Sequence, residues 1–153
     1  MTPPSANNRR SHYIRSSKLE RDDTAQFQLQ GWLAKRLRAN TEQWLLTAPH
    51  ANPSMLQIFR DRDRLPYRDL VPWAGEFAGK YLISGVQALR LTQEARLFRY
   101  LQKFVAELIS TQHESGYLGP FPTPEEMTGK DRWDLWGQYH VTDVTRCSCS
   151  CYQ

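Results

Sequence analysis

Apolar side chains recur at helical spacing most clearly between residues 93 and 111. The apolar positions of this stretch are Leu97, Tyr100, Leu101, Phe104, Val105, Leu108 and Ile109. Spacings of three, four and seven residues place them on one face of an α-helix, so the pattern predicts an amphipathic helix with that face in the core. Thr92 comes directly before the stretch and is a favourable N-cap residue.

Two further helices are predicted before this one. Between residues 32 and 46, five positions form an imperfect apolar stripe opposite a charged face; they are Trp32, Leu33, Leu37, Trp44 and Leu45. A second helix is predicted over 73–89, with Trp73, Phe77 and Tyr81 facing inward and Leu82 and Leu89 as further candidates for that face. Because only a short link separates the 73–89 helix from the 93–111 helix, these two helices are expected to form an antiparallel hairpin.

Glycines are unusually frequent in the 73–89 helix. Gly75, Gly79 and Gly85 each cost a helix about 1 kcal/mol relative to alanine. Such small residues indicate either close packing of a neighbouring element or a ligand nearby, and close packing is the favoured interpretation.

The remaining stretches are less regular. Alternation at Phe27 and Leu29 predicts a short strand, and 49–72 is expected to be a loop with a central turn at 55–59. A Gly/Pro-rich loop over 112–130 leads to a helix over about 131–140. The domain limits follow: a polar leader over 1–24, a helical region over 25–140, and an aberrant or disordered tail over 141–153, whose β-branched start carries no helical stripe.

Composition and charge narrow the class of protein. The 153 residues are 40% hydrophobic and 24% charged, which suits one domain with a modest core. The net charge is +4, but the arginines of 60–64 alternate with aspartates and predict a charged surface stretch, so no one-sign stripe for nucleic acid is present. The sequence contains no apolar run long enough for a membrane span and no apolar signal-peptide segment, so a cytoplasmic location is expected.

The three cysteines lie together near the end, at Cys147, Cys149 and Cys151. Nothing earlier can pair with them, so they are not a disulfide framework. Zinc sites usually use pairs separated by two to four residues with a second pair elsewhere. An abnormal tail is therefore favoured over a metal site, which remains the alternative.

Aromatic and polar side chains are concentrated between residues 117 and 140. The aromatic residues and the histidine are Tyr117, Phe121, Trp133, Trp136, Tyr139 and His140. Sugars stack on such rings and bond to side chains of the kind that Asp134, Gln138 and His140 supply. The alternative is a core of large aromatics with His140 bonded to a backbone carbonyl, and the pattern alone leaves both open.

Three stretches resemble the β-L-arabinofuranosidase-type glycoside hydrolases, glycoside hydrolase family 127. Residues 72–82, Pro-Trp-Ala-Gly-Glu-Phe-Ala-Gly-Lys-Tyr-Leu, resemble the family's second-helix signature. Residues 112–119, Gln-His-Glu-Ser-Gly-Tyr-Leu-Gly, resemble its Q-x-x-x-G-Y-L-G loop. Residues 133–140 resemble the following helix start, which commonly ends in a histidine. The order and spacing agree from about residue 27 to residue 140.

The resemblance implies part of an (α/α)6 barrel that hydrolyses terminal arabinofuranosyl groups with retention. It also implies a cysteine nucleophile held by zinc and a glutamate acid/base, all downstream of the matched region, so this chain is expected to carry no catalytic residue and no cofactor of its own. The resemblance transfers His140 as a hydroxyl ligand, Tyr117 beside it and Glu76. Trp136 and Asp134 join this predicted sugar-binding set from the aromatic cluster.

On this interpretation the chain is an incomplete and inactive piece of a glycosidase. Three or four helices cannot close a barrel of twelve, so unpaired helical faces predict self-association. Two alternatives remain: another α/α-toroid carbohydrate-active enzyme, such as a lyase or an epimerase, and a non-enzymatic helical interaction module.

Overall fold

The computed structural model describes residues 28–122 and 134–150, with side chains as far as Thr142. This part of the chain is mainly α and includes no strand, which confirms the predicted class. The helical elements are α1 (Gly31–Asn40), a π-helical turn (Thr41–Leu45), α2 (Ala48–Ala51), α3 (Ser54–Arg60), α4 (Glu76–Thr92), α5 (Ala95–Ile109) and α6 (Asp134–Ser150). Among them, no helix has the length and apolar character needed to cross a membrane.

The antiparallel hairpin of α4 and α5 forms as predicted. The apolar stripe of α5 buries Leu97, Leu101, Phe104 and Leu108 in the core. Thr92, however, is the last residue of α4 and not an N-cap with a side-chain bond to α5. Gln93 adopts a left-handed conformation with φ 51°, which ends α4 and turns the chain back.

The inward face of α4 is only partly the predicted one. Tyr81 is buried, packs its ring 4.8 Å from that of Phe104 and donates a hydrogen bond of 2.6 Å to the carbonyl of Leu45. Trp73 and Phe77 are 42% and 51% exposed, so their predicted inward position is wrong. The reason is that α5 and α6 pack on the glycine-bearing sides of α4 instead.

The stretch predicted as a loop over 49–72 contains two short helices, α2 and α3. The predicted central turn is the helix α3, which is stabilised because four of its side chains are buried in the core; they are Met55, Leu56, Ile58 and Phe59. Leu29 and its neighbours at 28–30 form no strand, while Phe27 and the predicted leader lie outside the described residues. Of the stripe predicted over 32–46, Leu45 is fully buried and Leu37 half-buried, but Trp32, Leu33 and Trp44 are exposed.

Helix α6 does not end at His140 as the pattern predicted. It continues to Ser150, and Val141 is fully buried in the core. A packed valine gains more from burial than its weak helix preference costs, so tertiary contact overrides the local signal. Trp133 and the cysteine side chains fall outside the described part of the chain, so the metal alternative for Cys147, Cys149 and Cys151 stays a prediction.

Candidate functional site

Helices α4 and α6 cross with their backbones in contact at glycines. A Cβ placed on Gly79 would lie 2.5 Å from the backbone carbonyl carbon of His140, and one on Gly137 would lie 3.4 Å from the Cα of Gly75. Gly85 lies against the side chain of Leu101 of α5. The close-packing interpretation of these glycines is therefore confirmed. This close crossing brings the side chains of α6 beside the first turn of α4.

Glu76, the first residue of α4, receives hydrogen bonds on both carboxylate oxygens. The indole Nε1 of Trp136 donates to Oε2 at 2.5 Å, and Lys80 Nζ lies 2.7 Å from Oε1. Burial raises the pKa of Glu76, but the bonds from Lys80 and Trp136 outweigh it, so the pKa lies below the ordinary value. The carboxylate is therefore ionised at neutral pH and fixed in direction.

His140 is buried on α6, one turn beyond Trp136. Its ring meets the Trp136 ring edge-on at 4.7 Å between centroids and the Tyr139 ring at 5.3 Å. Only 9% of the residue is exposed, and within the described residues neither ring nitrogen has a hydrogen-bond partner. Buried polar groups are normally paired. The imidazole therefore carries a donor and an acceptor that no described residue uses, on nitrogens with almost no exposed surface.

Tyr117 and Asp134 form a second buried pair. The Tyr117 hydroxyl donates to Asp134 Oδ1 at 3.0 Å, and Asp134 is the first residue of α6, where the helix dipole favours a carboxylate. Burial and the Asp134 charge raise the pKa of Tyr117, so the phenol stays protonated. Its hydroxyl is directed to Asp134, so Tyr117 supports the start of α6.

The predicted sugar-binding residues thus fall into two groups that share α6. Glu76, Trp136 and His140 come together, while Tyr117 and Asp134 form the other group. Sequence reasoning missed Lys80, although its i+4 spacing from Glu76 is an ion-pair signal. It also missed Arg62, which is only 7% exposed, so the prediction of a surface stretch is wrong for this residue.

The zinc implied by the resemblance has no set of ligands in the described part of the chain. No group of three histidine, cysteine, aspartate or glutamate side chains there could hold a metal ion. The cluster supplies two side chains of a metal-ligating type, Glu76 and His140, and the Glu76 carboxylate is already bonded to Lys80 and Trp136.

Comparisons of this chain with known proteins found no match that bears on its function. No family model matches this chain, and no curated protein and no solved structure matches it. The resemblance to the arabinofuranosidases consequently depends on three short stretches, two of which contribute residues to the Glu76–Trp136–His140 cluster.

The lowered pKa of Glu76 predicts a specific loss of stability in acid. A carboxyl group whose pKa is lower in the folded state stabilises the fold above its unfolded pKa, about 4.3, and loses that contribution as the pH falls through the lowered folded value. In Glu76→Gln this pH-dependent contribution is absent. We expect urea midpoints of the wild type to fall more steeply than those of the variant below about pH 4.3.

The matched control for this acid experiment is Glu114→Gln, which changes an exposed glutamate in the same way. Its midpoints should follow the wild-type curve over the whole pH range. If the curves of Glu76→Gln and the wild type run parallel in acid, the ion pair with Lys80 does not hold Glu76 in the folded protein.

Proposed function

We propose that this chain forms part of the sugar-binding end of a glycoside hydrolase that resembles the β-L-arabinofuranosidases. The observation that carries the proposal is the cluster of buried Glu76, exposed Trp136 and buried His140, in which the imidazole has no partner among the described residues. A cluster that served the core alone would normally pair such an imidazole internally.

The chemistry of the cluster suits a furanosyl group. His140 can donate a hydrogen bond to a sugar hydroxyl from one ring nitrogen, or accept one at it, while the other nitrogen stays available to a second group. The Trp136 and Tyr139 rings lie 6.1 Å apart at an interplanar angle of 27°, and both are substantially exposed. Their faces offer an apolar surface for the C–H side of a sugar, while Glu76 holds the Trp136 indole in place.

The proposed architecture is part of an (α/α)6 barrel. The α4–α5 hairpin and the close crossing of α6 on α4 supply three helices for such an arrangement. No catalytic residue is assigned within this chain, because no described carboxylate pair or nucleophile matches the family's catalytic motifs. The proposed role of the five predicted residues is binding and support, not bond cleavage.

A second candidate, a helical interaction module, is favoured by the apolar side chains that the described helices leave exposed. The most exposed on the helices are Trp32, Leu33, Phe77, Leu135 and Tyr139. Surfaces of this kind on isolated helical repeats bind other chains or further copies. This candidate predicts self-association without sugar specificity.

Titration with methyl β-L-arabinofuranoside separates the two candidates. We expect saturable changes in the NMR signal of the Trp136 indole N–H, with a dissociation constant on the order of 1 mM, equivalent to about −4 kcal/mol. The indole N–H of the exposed Trp32 should not respond and serves as the internal control. No saturable change, or an equal change with methyl β-D-glucopyranoside, would contradict the sugar-binding proposal.

A further inference from the structure

Arg62 is a buried arginine that connects two distant points of one loop. Its Nη1 donates to the carbonyl of Gly119 and its Nη2 to the carbonyl of Thr111, both at 2.7 Å. Its Nε also donates to the carboxylate of Asp63 at 3.3 Å, and that side chain is 44% exposed. The guanidinium is therefore held mainly by backbone carbonyls, and it fixes the separation of the two ends of the 111–119 loop.

The same guanidinium packs against the aromatic side chain of that loop. Its central carbon lies 5.3 Å from the centre of the Tyr117 ring, a cation–π contact in a buried setting. Gly119 lies directly against the Tyr117 hydroxyl, where a side chain would overlap it. The ring is thus confined between Arg62 and the loop backbone, and its hydroxyl donates to Asp134 and is also hydrogen-bonded to the backbone of Phe121.

We propose that Arg62 is a positioning residue that sets the start of α6 through Tyr117 and Asp134. Asp134 begins α6, and Trp136 and His140 follow on the same helix, so the placement of its first turn decides whether the Trp136 indole reaches Glu76. The inference rests on the proposed function in one respect: Trp136 and His140, the side chains that Arg62 positions, belong to the proposed sugar site.

The contacts of Arg62 require the planar guanidinium group of an arginine. Two carbonyls from opposite ends of the loop accept from two different nitrogens at once, and a flat cation also stacks on a ring. A lysine ammonium on a flexible stem keeps the charge but cannot reproduce both bonds and the stacking together. Arg62→Lys is therefore expected to lose the positioning effect while keeping the positive charge.

The test follows the Trp136 indole N–H, which reports the contact with Glu76 without any sugar. In Arg62→Met and Arg62→Lys we expect its signal to shift and its hydrogen exchange to accelerate about tenfold or more, because the start of α6 opens more often. Arg60→Met is the matched control. Arg60 is a neighbouring arginine that bonds Glu107 at 2.7 Å, away from the loop, so the Trp136 signal should stay unchanged.

Tyr117→Phe tests the link through Tyr117, since it leaves Arg62 and its carbonyl bonds in place and removes the hydroxyl with its bonds to Asp134 and to the Phe121 backbone. It should change the Trp136 signal as Arg62→Lys does, and the double variant should change it no further. An unchanged Trp136 signal in folded Arg62→Lys or Tyr117→Phe, or additive effects in the double variant, would overturn the inference. If Arg62→Met does not fold, these two variants still decide the question.

This experiment also separates the inference from the proposed function. If the wild-type protein does not bind methyl β-L-arabinofuranoside, the proposed sugar site is wrong. The response of the Trp136 signal to Arg62→Lys then still tests the link through Tyr117. If the protein binds the sugar but its Trp136 signal is unchanged in the Arg62 variants, the proposed function stands and the positioning role is wrong.

Discussion

Replacement of Gly79 by alanine is expected to destabilise the protein by about 1–3 kcal/mol, the range for side chains forced into packed cores. In an exposed helix the same change would stabilise by about 1 kcal/mol, because alanine is the better helix former. The sign reverses here because the new Cβ would lie 2.5 Å from the backbone carbonyl carbon and the Cβ of His140. Backbone cannot rotate aside as a side-chain tip can, so α6 must move away from α4.

Thermal melting followed by circular dichroism measures this effect. A loss of 2 kcal/mol corresponds to a drop of roughly 5 °C for a domain of this size. Ser84→Ala is the control, since Ser84 is exposed on the same helix and bonds only the Lys80 carbonyl. A melting temperature of Gly79→Ala equal to or above the wild type would show that α4 and α6 do not cross at this glycine.

Replacement of His140 by leucine is expected to separate binding from stability. Loss of the imidazole should weaken the affinity for methyl β-L-arabinofuranoside at least about tenfold, a loss of about 1.4 kcal/mol. The free energy of unfolding should stay unchanged or rise, because the described residues give neither ring nitrogen a bond and an apolar side chain of similar size removes the cost of burying them.

The two measurements for His140→Leu are the sugar titration and a urea melt. His50→Leu, at an exposed histidine of another helix, is the matched control and should leave the sugar affinity unchanged. The opposite pattern, with the affinity kept and the protein destabilised by several kcal/mol, would show that His140 is a core residue and that the sugar-binding proposal is wrong at its central position.

Much of the helical framework was predictable from local pattern. The stripe of α5 identifies the helix because residues three and four apart share a face whatever the rest of the chain does. The link of two residues after α4 likewise required an antiparallel hairpin. Glu76, Trp136 and His140 were predicted as site residues by the resemblance and by the sugar-binding chemistry of aromatic and polar groups, and the fold brings these three together.

The sequence by itself determined the hairpin of α4 and α5 and favoured close packing at the glycines of α4. Only the tertiary structure decided which neighbour that is, that Trp73 and Phe77 face outward, and that Arg62 is buried. Periodicity defines the faces of a helix through local backbone geometry, but on α4 it did not indicate which face packs. That choice depends on contacts such as Trp136 to Glu76, 60 residues apart, and Arg62 to Gly119, 57 apart, which a local pattern does not contain.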